Sequence, residues 1–216
     1  MPREKPRNKR AGQAKRGVAA PRERTQSAPV PASLAAEIER LREELKRSES
    51  RIEALEKSAH EDLLTGLLNR RGFERAFAQA IAYLKRYGGS AALLYLDLDR
   101  FKPINDRYGH AVGDVVLQET ARLLLGSVRA SDIAARLGGD ELALVLWNLD
   151  AAQMAAKQRR LEALIDGASF EVQGARVEVG VSIGGVMLSA DDTLASALER
   201  ADAAMYARKK ERKAAR

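Results

Sequence analysis

A polar–apolar stripe dominates residues 33–60. Leu34, Ile38, Leu41, Leu45, Ser48, Ile52, Leu55 and Ala59 follow one another at spacings of four and three, with Glu, Arg and Lys on the flanks. This 3.5-residue period is the mark of a coiled coil, and Ser33 can cap its first turn. Isoleucine at the a positions Ile38 and Ile52, with leucine at the d positions Leu34, Leu41 and Leu55, favours two parallel strands; Leu45 and Ser48 depart from the pattern. The spacing therefore predicts a dimerisation helix, the other reading being one amphipathic helix laid on a neighbouring domain.

Beyond Glu61 the pattern alternates between helical and extended periods. A helix is predicted over 70–87 from Phe73, Phe77, Ile81 and Leu84, and a buried strand over Ala91–Leu98. A second helix is predicted over 111–128, then two short strands around 132–137 and 141–147 joined by Gly138-Gly139, a hairpin signal. A helix over 151–166, a strand over Val177–Ile183 and a last helix over Thr193–Lys213 complete the reading. The expected fold is α/β, an α+β sandwich with a central, mainly antiparallel sheet flanked by helices. Three parts follow: a tail at 1–32, the helix at 33–60 and a domain at 61–216, long enough to bury a sizeable core.

Charge is distributed unevenly. The 216 residues hold 37 Lys and Arg against 30 Asp and Glu, a net charge of +7. Nine bases and two acids fall within residues 1–31, which also hold five of the six prolines, and no aromatic precedes Phe73. The tail reads as disordered, either a solvated extension or an arm for nucleic acid, an anionic membrane surface or an acidic partner. A second basic cluster, Arg208–Arg216, is assigned to a phosphate site, and the body between the two is mildly acidic. This argues against a domain-wide nucleic-acid surface. With no cysteine, disulfides, thiolate metal sites and cysteine nucleophiles are excluded. The longest strong apolar run, Ala91–Leu96, is far short of a membrane span, and the N-terminus lacks a secretory apolar segment, so a cytoplasmic location is expected.

The candidate chemistry lies in acids at strand ends. Asp97 and Asp99 close the most hydrophobic strand and share one of its faces. Asp140 and Glu141 follow Gly138-Gly139 at the hairpin tip. Singly, each reads as a turn residue. Together they can converge on magnesium, which takes one or two carboxylates, keeps several waters and bridges to phosphates. His110 reads as a turn residue rather than a base, and Trp147 as packing.

Six ordered motifs carry a resemblance. Asp62-Leu63-Leu64-Thr65-Gly66-Leu67-Leu68-Asn69-Arg70-Arg71, Asp97-Leu98-Asp99-Arg100-Phe101-Lys102-Pro103-Ile104-Asn105-Asp106, Tyr108-Gly109-His110-Ala111-Val112-Gly113-Asp114, Arg136-Leu137-Gly138-Gly139-Asp140-Glu141-Leu142, Val181-Ser182-Ile183-Gly184-Gly185 and Ala201-Asp202-Ala203-Ala204-Met205-Tyr206 resemble the GGDEF family, the diguanylate cyclases, over about residues 61–211. The resemblance implies a palm-like cyclase fold that condenses two GTP into cyclic di-GMP. It implies magnesium, with manganese able to stand in, on Asp97, Asp140 and the Leu98 carbonyl. It further implies guanine contacts from Asn105 and Asp114, phosphate contacts from the Phe101 backbone, Lys102 and Lys209, and a role for Glu141 in deprotonating the attacking 3′-hydroxyl or holding a second metal. Such chemistry needs charge neutralisation and in-line placement, and two domains must face each other, which makes a homodimer through residues 33–60 useful. Arg129-Ala130-Ser131-Asp132 stands at the offset of the family's inhibitory RxxD motif, implying product feedback through Arg129 and Asp132.

The chain departs from the family at Leu142, where phenylalanine is usual, an apolar exchange. It departs again after Tyr206, where Lys209 matches but the family's glycine is replaced and Lys213 stands near its arginine. Lysine cannot form arginine's bidentate fork, so a weaker hold on GTP is implied. The rival reading is a degenerate domain that binds GTP or cyclic di-GMP and signals without turnover. No sensor domain is legible, so the input is expected from a partner or from location.

Overall fold

The computed structural model describes residues 32–172 and 174–214. The basic tail lies outside them. The chain divides into two compact units at Lys46 and Arg47. Helix α1 (Ala32–His60) runs unbroken, and on it Leu34, Ile38, Leu41, Leu45 and Ile52 of the predicted stripe are exposed; the Leu55 side chain is outside the description.

The second unit is built on a four-stranded antiparallel sheet. β1 (Ala91–Asp99) is central, between β3 (Glu141–Trp147) and β6 (Gly180–Met187), and β2 (Ile133–Gly138) pairs with β3 at one edge. A separate hairpin joins β4 (Ser169–Val172) to β5 (Ala175–Glu178). Alternation along β1 feeds two cores. Leu94, Leu96 and Leu98 meet α3 (Phe101–Tyr108), α4 (His110–Leu125) and α5 (Ala151–Asp166). Leu93 and Tyr95 face α2 (Arg70–Tyr87) and α6 (Leu194–Ala214). With both faces covered, β1 can be almost wholly apolar until its last three residues, the point where its chemistry begins.

Local signals account for the helix ends. Asn69 caps α2 by accepting from Gly72 N at 2.9 Å, and its amide donates to the carbonyls of Ala59 and Glu61. Asp150 and Gln153 form a capping box on α5.

Two expectations are corrected. The predicted helix over 111–128 starts at His110 and stops at Leu125, where the Gly126 N–H caps back onto Arg122 O. The predicted strand over Val177–Ile183 is broken at Val179 into β5 and β6, which belong to different sheets. α3 and β4 were not foreseen, because eight- and four-residue elements carry too few turns of any period to register.

Candidate functional site

The antiparallel register sets Asp97 opposite Glu141 on one neighbour and Ser182 on the other. Positive φ at Gly138 (154°) and Gly139 (53°) folds the β2–β3 tip tightly, and Leu98 N reaches Asp140 O at 3.4 Å. The hairpin tip is thus closed onto the end of β1. From the opposite side α6 delivers Lys209, whose Nζ pairs with Asp97 Oδ1.

The electrostatics follow from this crowding. Burial raises the Asp140 pKa, with Asp97 and Glu141 adding to the rise and Lys209 opposing it. Burial works against the Lys209 charge, but Asp97, Asp99 and Asp140 outweigh it and raise its pKa. The site is a cluster of like charges relieved by one ammonium. A hard divalent cation would relieve it further. Among the described residues no three carboxylate or imidazole groups gather as a metal cluster. The expected donors, the Asp97 and Asp140 carboxylates with the Leu98 carbonyl, would suit an ion that takes few protein ligands and completes its shell with water and phosphate.

Supports for this arrangement come from motif residues to which the sequence assigns no role. Arg136 holds both Asp62 oxygens at 3.2 Å and donates to Gly139 O at 3.0 Å, while Asp62 also accepts from Thr65 N and Oγ1. Burial would raise the Asp62 pKa, but the Thr65 and Arg136 hydrogen bonds prevail and lower it. Arg70 donates to Leu137 O at 3.1 Å and lies 3.8 Å from Glu141 Oε2. The Tyr95 phenol is kept protonated by burial and by the neighbouring Glu141 carboxylate. Residues 62–71 therefore brace the hairpin; in the sequence they stand only as one of the six motifs.

On the other side of β1, Arg100 takes a left-handed conformation (φ 60°) and turns the chain into α3. Phe101 is buried and Lys102 exposed. Asn105 Oδ1 is buried with no hydrogen-bond partner among the described residues. A Cβ at Gly113 would stand 1.9 Å from that oxygen, so glycine is what admits Asn105 against α4. Asp114, the next residue, is exposed. Asn105 and Asp114 are thus brought to one corner, and an unsatisfied amide oxygen there suits a ligand that carries N–H donors.

The RxxD residues lie elsewhere. Asp132 Oδ2 accepts from Arg129 N at 2.8 Å and its Oδ1 from Trp147 N at 3.2 Å, so the carboxylate shapes the backbone, and the Arg129 side chain is exposed. Both residues line a 380 Å³ cavity with Trp147 and Lys157. Trp147 packs edge-on against Tyr83, 5.4 Å between centroids, and His110 is an exposed first residue of α4. The C-terminal basic cluster does not act as one group. Lys209 reaches Asp97, whereas Arg208 turns to Glu162 on α5 and Arg212 to Asp166 on α5 and to Asp99 at the end of β1. The Lys213 side chain is outside the description.

Residues 59–215 match the family model described as diguanylate cyclase, GGDEF domain. The chain is 38% identical over 167 residues to the diguanylate cyclase TpbB of Pseudomonas aeruginosa, covering 76% of this chain and 38% of that protein. It is 36% identical over 170 residues to the probable diguanylate cyclase DgcE of Escherichia coli, covering 77% of this chain and 15% of that one. The chain thus spans well under half the length of either relative. Among solved structures, the coiled coil and GGDEF domain of DgcB from Caulobacter crescentus, in complex with c-di-GMP, superposes with a TM-score of 0.77 at 28% identity over 83% of this chain and 95% of that one.

Proposed function

The chain belongs to the GGDEF family of diguanylate cyclase domains, and from that premise we propose that it condenses two molecules of GTP into cyclic di-GMP. The observation that carries the proposal is the meeting of Asp97, Asp140, Glu141 and Lys209 at the open end of the central strand. In each of two steps a 3′-hydroxyl oxygen bonds to the α-phosphorus of the other GTP, its proton leaves to Glu141 or water, and pyrophosphate departs.

Asn105 and Asp114 would hold the guanine edge, the Asp114 carboxylate accepting from its N–H donors and the Asn105 amide pairing with its acceptors. Lys102, the backbone at Phe101, and Lys209 would face the phosphates. Asp97, Asp140 and the Leu98 carbonyl would hold magnesium, with manganese as substitute. The ion, when bound, neutralises phosphate charge and polarises the α-phosphate. Tyr95 and Arg70 keep Glu141 aimed at the site from below.

One domain offers one GTP site, so two must face each other. We assign the pairing to α1, whose exposed stripe of Leu34, Ile38, Leu41, Leu45 and Ile52 is the surface a second copy would cover. Arg129 and Asp132 would take cyclic di-GMP as an inhibitor. Among the described residues no helix is long and apolar enough to cross a membrane, and we place the reaction in the cytoplasm, where GTP is available. The basic tail is assigned a salt-sensitive contact with an acidic partner, nucleic acid or an anionic membrane surface.

Incubation of the purified chain with GTP and magnesium, with products separated by chromatography, tests the reading. Cyclic di-GMP should accumulate, and Asp140→Ala should abolish it. GTP bound without product would leave a binding module in place of the enzyme. Turnover surviving Asp140→Ala would refute the metal assignment.

A further inference from the structure

Helices α5 and α6 meet in a charged ladder that the proposed reaction does not use. Arg208 Nη2 and Nε donate to Glu162 at 2.8 and 3.2 Å. One turn on, Arg212 Nη2 donates to both oxygens of Asp166, at 2.8 and 2.7 Å, and lies 3.5 Å from Asp99 Oδ2. Residues four apart on a helix share a face, so the acids on α5 and the arginines on α6 stack as two rungs. The same carboxylates also accept from β6, Ile183 N to Glu162 Oε1 at 3.4 Å and Val181 N to Asp166 Oδ1 at 3.1 Å. Asp99 in turn accepts the Ser182 hydroxyl at 2.8 Å. Two helices and two strands are therefore tied at one point, beside the acids of the site.

The chemistry of the ladder points to positioning rather than bulk stability. Glu162 is only 3% exposed, and a buried ion pair recovers little beyond its desolvation, so apolar side chains would hold the helices together equally well. What the guanidinium groups add is a fixed register: Arg208 grips Glu162 through Nε and Nη2 together, and the Nη2 of Arg212 bridges both Asp166 oxygens beside Asp99. Lys209 lies between the two rungs in sequence. Its ammonium is a compact charge on a flexible stem, which cannot by itself hold the end of a helix in place.

We infer that Arg208 and Arg212 are positioning residues: by gripping Glu162 and Asp166 they fix the last turns of α6 so that Lys209 stands at Asp97 and Asp140. The functional half of this inference rests on the reading of those acids as a GTP site. Two readouts on the full chain separate the halves. The first is reductive methylation followed by mass spectrometry, which needs no nucleotide. Lys209 should react slowly in the wild type and at least severalfold faster in Arg208→Gln/Arg212→Gln. An unchanged Lys209 rate in that variant overturns the inference. The second is binding of a non-hydrolysable GTP analogue in a double-mutant cycle.

Lys209→Ala and Arg208→Gln/Arg212→Gln should each weaken binding about tenfold, and the triple variant should be within about twofold of either, because both act through one ammonium. Fully additive losses would overturn the positioning role. Faster methylation with unaltered analogue affinity would keep the ladder and overturn the GTP reading of Lys209. Should loss of Arg208 leave Glu162 so exposed as an unpaired charge that folding fails, Arg212→Gln alone, with the first rung intact, carries both comparisons. Arg212→Lys, which keeps the charge but not the planar guanidinium, should recover part of the slow methylation.

Discussion

Gly184→Ala is the sharpest test of how α6 is seated. Gly184 lies on β6 opposite Tyr95 of β1. A Cβ there would stand 2.1 Å from Ala201 O, 2.3 Å from Met205 N and 2.8 Å from Met205 Cα. All three are backbone atoms of α6, so no rotamer change can make room. A comfortable carbon–oxygen approach is ~3.3 Å, and the helix must therefore retreat by about 1 Å. That retreat loosens Ala197, Ala201 and Met205 from the core and draws Lys209 from Asp97.

Overpacking costs about 1–3 kcal/mol, and the rigid neighbours place this case at the upper end, ~3 kcal/mol. For a domain of this size the melting temperature should fall by about 6–10 °C, and with a urea slope of ~2 kcal/mol/M the midpoint should drop by about 1–1.5 M. A reacting group misplaced by about 1 Å can cost on the order of 100-fold in turnover, so cyclic di-GMP formation should fall further than stability does. Gly185→Ala is the internal control: its Cβ would meet side-chain atoms of Leu94, Met154 and Gln158, which can yield. Urea melts and turnover of the two variants decide the matter. A Gly184→Ala midpoint within about 0.3 M of wild type, or one no lower than that of Gly185→Ala, would refute the claim that α6 rests backbone-to-backbone on the sheet.

Asp140→Asn should abolish turnover yet raise the melting temperature at pH 7 in metal-free buffer. The folded-state pKa of Asp140 is raised, chiefly by burial, so its charge destabilises the fold above that pKa, and the gain should vanish in acid where wild-type Asp140 is protonated. Asp62→Asn has the opposite sign: the folded pKa is lowered, so the contribution is present above the unfolded value and lost as pH falls through the folded one. The variant should be about 1–2 kcal/mol less stable at pH 7, and urea midpoints should show the gap closing below about pH 4. A gap that stays constant to pH 3 would refute the Thr65 and Arg136 hydrogen bonds to the carboxylate as its source. Arg129→Ala should leave initial rates unchanged and keep progress curves linear as product accumulates; inhibition equal to wild type would remove the regulatory assignment.

Much of this molecule is legible in its residues. The run from Ala91 to Leu98 is too apolar for anything but a strand covered on both faces, so Asp97 and Asp99 stand out as its polar end. Gly138-Gly139 marks the hairpin because the turn between β2 and β3 needs two successive residues at positive φ, which glycine adopts readily. The family motifs name Asp97, Asp140, Asn105 and Asp114 because each lies in a short local pattern. α3, β4 and the break at Val179 escape such reading, since short elements are held by tertiary packing and not by their own periodicity.

What the folded arrangement alone decided is which charges meet. The basic C-terminal cluster reads as one patch of like charge. In three dimensions it is divided, Lys209 going to Asp97, 112 residues away, and Arg208 and Arg212 each going to an acid of α5 46 residues away, with Arg212 also beside Asp99. The Tyr95 and Arg70 flanks of Glu141 are similarly invisible in sequence. A helix presents side chains to different neighbours every 100° of turn, so a contiguous cluster is distributed among partners only when those partners are packed around it. Sequence determines the kinds of charge available and the elements that carry them. Packing of α5 and α6 on β6 determines which of them become a site and which become its framework.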